Sequence, residues 1–164
     1  MEAGGAGRFG RGLYRVHQFT KVELFAYTHP DESDAMQEEI LTIEEAIFQA
    51  LELPYRVLLL CGGDSAAQSA RTYDIEAWMP GRGEGGSYGE VTSASTCTDY
   101  QARRLGIRFR DAQTQKNQFV HMLNGTAISC ARALLALLEV HQQGDGSVLI
   151  PKALQPYAGI ERIG

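Results

Sequence analysis

Apolar and polar residues alternate from Leu13 to Tyr27, where LYRVHQFTKVELFAY is rich in β-branched and aromatic side chains. Period-two sorting of this kind predicts a long strand over 13–27. One face takes Tyr14, Val16, Gln18, Thr20, Val22 and Leu24; the other takes Arg15, His17, Phe19, Lys21, Glu23 and Phe25. The second face interleaves cations, a histidine and a carboxylate with aromatics. It suits either the ligand-binding floor of a sheet or an exposed face of cross-strand ion pairs.

The period then changes. Met36, Ile40, Ile43, Ile47 and Leu51 stand three or four apart and predict a helix over 31–52. Pro30 with Asp31 or Ser33 gives its start, Pro54 its stop, and Glu38, Glu39, Glu44 and Glu45 a solvated face. A buried strand is expected over 55–61, an alternating one over 72–79, and a third over 88–95 after the glycine-rich PGRGEGGSYG turn. A helical turn over 99–105, short strands over 106–110 and 118–123, and a helix over 126–142 capped by Asn124 or Thr126 complete the reading. Gly144 and Gly146 end that helix. Strands outnumber helices without regular βαβ alternation. The expected class is α+β, with 13–27, 55–61, 72–79, 88–95 and 118–123 in one mainly antiparallel sheet flanked by helices.

Composition narrows the class further. The 164 residues suit one domain or a large piece of one. With 44% hydrophobic residues the chain is not a disordered one. No apolar run approaches the ~20 residues of a membrane helix. Cys61, Cys97 and Cys130 are odd in number and widely spaced, which fits a reducing compartment and neither a disulfide framework nor a Cys-x-x-Cys metal site. A net charge of -5 argues against a whole surface that grips nucleic acid and leaves room only for a local basic patch. The first twelve residues, MEAGGAGRFGRG, hold five glycines and read as a tail or as the interior of a loop.

Two groups suggest chemistry. Arg132 lies in the small and apolar TAISCARALLALLEV, with no acid three or four positions away. A guanidinium there needs a distant acid such as Glu76 or Glu90, or a phosphate whose oxygens match its fork. Glu90 and Ser93, three apart in GEVTSAS, offer hard oxygens of the kind Mg²⁺ takes alongside substrate phosphates. His17, His29, His121 and His141 show no metal-binding spacing, and there is no P-loop or G-x-S-x-G elbow. ATP, if bound, rests on a sheet floor among arginines and an aromatic stacker.

Four segments together carry a resemblance. EAGGAG…RGLYRVHQFTKVELF, TYDIEAWMPGRG, GEVTSASTCTDYQARRLGIRFR and LNGTAISCARALLALLEVHQQGDGSVLIPKALQPY resemble, in order and from Glu2 to about Tyr157, the catalytic core of the seryl-tRNA synthetase family. The resemblance implies a class II aminoacyl-tRNA synthetase core, an antiparallel sheet flanked by helices. It implies that Glu2 contacts the adenine side of ATP, that Arg15 holds the distal phosphates and that Phe19 stacks on adenine. It gives Glu90, Val91, Thr92 and Ser93 to ATP, with Glu90 and Ser93 on Mg²⁺, and makes Arg132 a phosphate ligand. Glu23, Asn124 and Thr126 would bind serine.

The family pattern also extends beyond these residues. Its arginine just before Glu2, its serine-pocket loop, its dimer-forming first motif and its tRNA-binding helical arm have no match here. Residues 1–164 are therefore expected to form one partial, N-terminally truncated catalytic domain whose glycine-rich start is the second-motif loop. The implied activity is ATP-dependent activation of L-serine and transfer to tRNA-Ser, in a family of homodimers, in the cytoplasm or mitochondrial matrix and away from membranes. The competing reading is a non-catalytic fragment or paralogue that binds a nucleotide or a partner.

Overall fold

The structure, a computed structural model, describes residues 12–164. Its frame is a five-stranded sheet in which every neighbouring pair runs antiparallel. The strands are β1 (Lys21–Thr28), β2 (Tyr55–Leu59), β3 (Arg71–Met79), β4 (Ser87–Thr96) and β7 (His121–Ser129), in the order β1-β7-β4-β3-β2. Between β4 and β7 come α2 (Tyr100–Leu105) and a separate two-stranded ribbon, β5 (Arg108–Arg110) with β6 (Asn117–Phe119). The two long helices are α1 (Ser33–Ala50) and α3 (Cys130–His141). A hairpin of β8 (Val148–Leu149) and β9 (Arg162–Ile163), enclosing the short α4 (Gln155–Ala158), closes the chain. The α+β class and the antiparallel sheet expected from the sequence are both present.

Both long helices pack on one face of the sheet. Leu41 and Phe48 of α1, Ala136 of α3, Ile75, Ala77 and Met79 of β3 and Val91 of β4 form one buried cluster. The alternation read over 72–79 is visible in it, because Asp74, Glu76 and Trp78 point to the opposite, partly open face. Gln37 ties α1 to the sheet through polar bonds: its Nε2 donates to the carbonyls of Arg71 and Ala94, and Arg71 Nε donates to its Oε1 at 2.6 Å.

Three expectations are corrected. Residues 13–20 are not part of a strand: a 3-10 turn covers Gly12–Tyr14, and pairing begins only at Lys21. The reason lies in the partner. β7 meets Lys21 at Ser129 and then enters α3, so nothing extended remains for residues 13–20 to pair with. The helix expected from 126 begins at Cys130, because ladder bonds to β1 hold Thr126 to Ser129 extended. The strand expected over 118–123 is divided between β6 in the ribbon and β7 in the main sheet.

The buried stripe of α1 is also turned by about one position from the expected one. Gln37, Ile40, Leu41, Glu44 and Phe48 are buried, while Ile43 is exposed. Glu44 thus leaves the solvated face and lies sealed beneath the sheet against Gly125. A β-carbon on Gly125 would collide with Ile40 Cγ2 and with Glu44 Oε1, so the helix reaches the strand only because position 125 has no side chain. Neither carboxyl oxygen of Glu44 has a hydrogen-bond partner among the described residues. Burial, and then the negative charges of Glu23 and Asp74, push its pKa from 4.5 to about 8.

The sign of the resulting pH effect follows from proton counts. Folded protein keeps the Glu44 proton up to about pH 8, whereas unfolded chain releases it above 4.5, so stability falls as pH rises between those values. Glu44→Met removes the carboxyl at similar volume. Denaturant unfolding should show its stability gain to be larger at pH 8 than at pH 5 by about 3 kcal/mol. An equal gain at both values would mean that Glu44 titrates as an ordinary carboxyl.

Candidate functional site

On the open face the sheet lays out a row of polar side chains. Glu23 of β1 pairs with Thr126 of β7, Ser93 adjoins the Ala94–Gly125 pair between β4 and β7, and Asp74 of β3 pairs with Ser93. Strand spacing makes this row about 15 Å long. Cross-strand partners share a face, and Thr126 Oγ1 donates to Glu23 Oε2 at 3.1 Å. Lys21 Nζ lies 2.8 Å from the same oxygen. An ammonium and a hydroxyl thus converge on one carboxylate whose side chain is 21% exposed.

A second group lies toward the start of α3. Arg132 Nη1 is 3.2 Å from Glu90 Oε2 and donates to the Glu90 carbonyl at 3.1 Å. Tyr14 donates its hydroxyl to that same carbonyl at 2.9 Å, and its ring lies 4.8 Å from the guanidinium. Of the two partners open to Arg132 on sequence, a protein acid or a phosphate, the structure shows the acid Glu90. The side chain stays 23% exposed, so it remains reachable from solvent.

The remaining expected site residues divide clearly. Asn124 shares the Thr126 face, and its Nδ2 donates to Cys97 Sγ at 3.7 Å. Val91 is a core residue, 1% exposed, and the Thr92 hydroxyl is spent on the Thr126 carbonyl. These two side chains turn away from the row. Arg15 and Phe19 are exposed and precede β1, so they do not share a strand face with Glu23 as the alternation suggested. Glu2 lies outside the described residues.

Asp74 belongs to the site although sequence reading gave it no role. Burial, with the charges of Glu90 and Glu76, raises its pKa to about 7, and Arg132 acts in the lowering direction. Its signal was present as an acid alternating with core residues, but only the β3–β4 register puts it beside Ser93 and near Glu90. Tyr14 was likewise read as a strand residue. Its role comes from the 3-10 turn that places it against Glu90 and Arg132.

This geometry matches known proteins. The family model described as the tRNA synthetase class II core domain (G, H, P, S and T) matches residues 6–141. The chain belongs to the class II tRNA synthetase core family. It is 64% identical over 162 residues to a serine–tRNA ligase of Dictyoglomus turgidum, covering 99% of this chain and 37% of that protein. It is 61% identical over 163 residues to one from Rubrobacter xylanophilus, covering 99% of this chain and 38% of that protein. Among solved structures, seryl-tRNA synthetase from Pyrococcus horikoshii complexed with ATP superposes with a TM-score of 0.90 at 53% identity, over 97% of this chain and 35% of that one. The cytoplasmic serine–tRNA ligase of Naegleria fowleri in complex with AMP gives 0.85 at 41% identity, over 93% and 35%. The chain therefore spans a little over a third of the length of the relatives it matches.

Within this class II core, two arginines meet the acids around Asp74, Arg56 on Glu76 and Arg132 on Glu90. In Arg132→Met, Glu90 loses its partner and Asp74 the cation that acts on it in the lowering direction, and the Asp74 pKa should rise above its present value of about 7. A carboxyl-carbon NMR titration reads this directly. An unchanged Asp74 titration would show that Arg132 does not act on it.

Proposed function

We propose that this chain is a large part of the catalytic domain of a serine–tRNA ligase, which joins L-serine to ATP as seryl-adenylate and passes the seryl group to tRNA-Ser. The observation that carries the reading is the convergence on Glu23 of an ammonium from Lys21 and a hydroxyl from Thr126. Those are the two donor groups that free serine offers, so the carboxylate is built for such a ligand. Relatives named serine–tRNA ligase and neighbours complexed with ATP or AMP support the same reading.

In the proposed mechanism the serine carboxylate attacks the α-phosphorus of ATP in line, a new C–O–P bond forms, and the bond to pyrophosphate breaks. The protein contributes position and charge, not a nucleophile. Glu23, Thr126 and Asn124 hold serine. Arg15 and Arg132 hold the phosphates, Phe19 stacks on adenine, Glu2 contacts its edge, and Val91 and Thr92 line the nucleotide through their backbone. Arg132 already rests against a carboxylate, so its charge is positioned before the nucleotide arrives.

Mg²⁺ fits the oxygen set of Glu90 and Ser93, with Asp74 beside them. Burial, and then the charges of Glu90 and Glu76, raise the Asp74 pKa, and a cation bound beside it would favour its charged form. The described residues hold no group of three or more His, Cys, Asp or Glu able to bind a metal on their own; the proposed ion is held jointly with substrate phosphates. Bound there, it would offset the charge developing on them. No described helix is long and apolar enough to cross a membrane.

The second reading is a non-catalytic nucleotide- or partner-binding module. Serine-dependent exchange of pyrophosphate into ATP separates the two. The chain alone should show little exchange, because removal of one charged transition-state contact costs about 10²- to 10³-fold. The same residues within a protein of the relatives' full length should exchange, and Glu23→Ala there should abolish the dependence on serine. Robust exchange by the 164 residues alone would overturn the partial-domain reading. Full-length exchange indifferent to Glu23→Ala would overturn the serine site.

A further inference from the structure

The ribbon between β4 and β7 departs from the charge of the rest of the protein. Residues 100–119 contain Arg103, Arg104, Arg108, Arg110 and Lys116, a third of the chain's 15 lysines and arginines, against one acid, Asp111, in a chain of net charge -5. Asp111 is engaged in its own turn: its Oδ1 accepts from the Gln113 and Thr114 amides and from the Thr114 hydroxyl, and these bonds hold its pKa below the usual carboxylate value. It stays ionised, and five cations against one acid leave residues 100–119 with a net charge of +4.

The cations are presented, not buried. Ile107 and Phe109 turn inward onto the small core of Ala102, Val120 and Met122, and Phe109 also meets the His29 ring edge-on at 5.0 Å. Alternation then turns Arg108 and Arg110 outward on one face, and both are exposed. Arg108 lies 4.4 Å from the centre of its cross-strand partner Phe119, and Arg104 lies 3.4 Å from that of Tyr100. Arg103 pairs with Asp99 at 3.2 Å. Arg108, Arg110 and Lys116 make no ion pair among the described residues.

Guanidinium planes braced on aromatic rings and left without carboxylates are suited to phosphate oxygens and to stacked bases. The ribbon is rooted where His121 pairs with Thr28, five strand positions from the Glu23–Thr126 pair, or about 17 Å along β1. An RNA whose unpaired 3′ end reaches Glu23 would extend its phosphates along that direction. We propose that the β5–β6 ribbon, through Arg108, Arg110 and Lys116, is a docking surface for the phosphate backbone of a structured RNA. The choice of RNA rests on the serine–tRNA ligase reading; the charge and geometry of the surface do not.

The test is binding of an RNA hairpin with an unpaired 3′ tail, measured by fluorescence anisotropy across a salt series. Arg108→Glu with Arg110→Glu should weaken binding at least about tenfold, and Arg108→Gln with Arg110→Gln should lower the log–log salt slope by about two. Lys152→Glu, an exposed charge change elsewhere, serves as control, and thermal melts establish that the variants fold. Binding unchanged in the variants, or weakened no more than in the control, overturns the proposal. So does poly-glutamate competing as well as RNA at equal charge, which would mark an unspecific polyanion surface. Serine-dependent pyrophosphate exchange needs no RNA and is read in parallel on a protein of the relatives' full length, with binding measured on the same protein. Exchange without serine dependence, alongside RNA binding that depends on 108 and 110, removes the serine reading and keeps the ribbon.

Discussion

The register between β1 and β7 is the constraint on which the rest of the site depends. Setting Glu23 opposite Thr126 gives the carboxylate its hydroxyl partner. The same register exhausts the ladder at Lys21 and Ser129, and there β7 turns into α3. Arg132 consequently falls in the first turn of α3, within reach of Glu90 on β4. A slip of one residue would turn every side chain of β1 to the other face. Gly125 guards against that slip from below, because only a residue without a side chain fits against Ile40 and Glu44.

The open face is electrostatically strained in the direction of binding. Glu23, Asp74, Glu76 and Glu90 share it, with Lys21 on Glu23, Arg132 on Glu90 and Arg56 on Glu76 at 2.6 Å. Asp74 makes no ion pair among the described residues, and burial, then the charges of Glu90 and Glu76, raise its pKa. Glu44 beneath adds a carboxyl that stays neutral because burial and the same acids oppose its ionisation. A divalent cation near Asp74 would relieve charge that folding alone leaves crowded.

Much of this was legible in the sequence. The alternation TYDIEAWM gave β3 and its faces correctly, and Pro30 and Pro54 bracketed α1. The loneliness of Arg132 in an apolar helix foretold an anion, found as Glu90. The errors have a common cause. By local pattern residues 13–20 read as strand and 126–129 as helix, yet the first lack a strand to pair with and the second have one. Pairing is a tertiary fact that propensity does not contain. Glu44 was misplaced for the same reason: a glutamate on a helix reads as solvated until Gly125 shows that the strand comes close enough to cover it. Asp74 and Tyr14 were visible as residues but acquired roles only through register and through a 3-10 turn.

The central claim is that this register makes Glu23 and Thr126 one serine-binding unit. A double-mutant cycle of Glu23→Gln and Thr126→Ala on serine affinity, in a protein of the relatives' full length, tests it most directly. Residues that act on one ligand through a shared hydrogen bond should couple by about 0.5–3 kcal/mol. The double variant should lose clearly less affinity than the two single losses combined. Strictly additive losses, or serine affinity unaffected by either change, would contradict it.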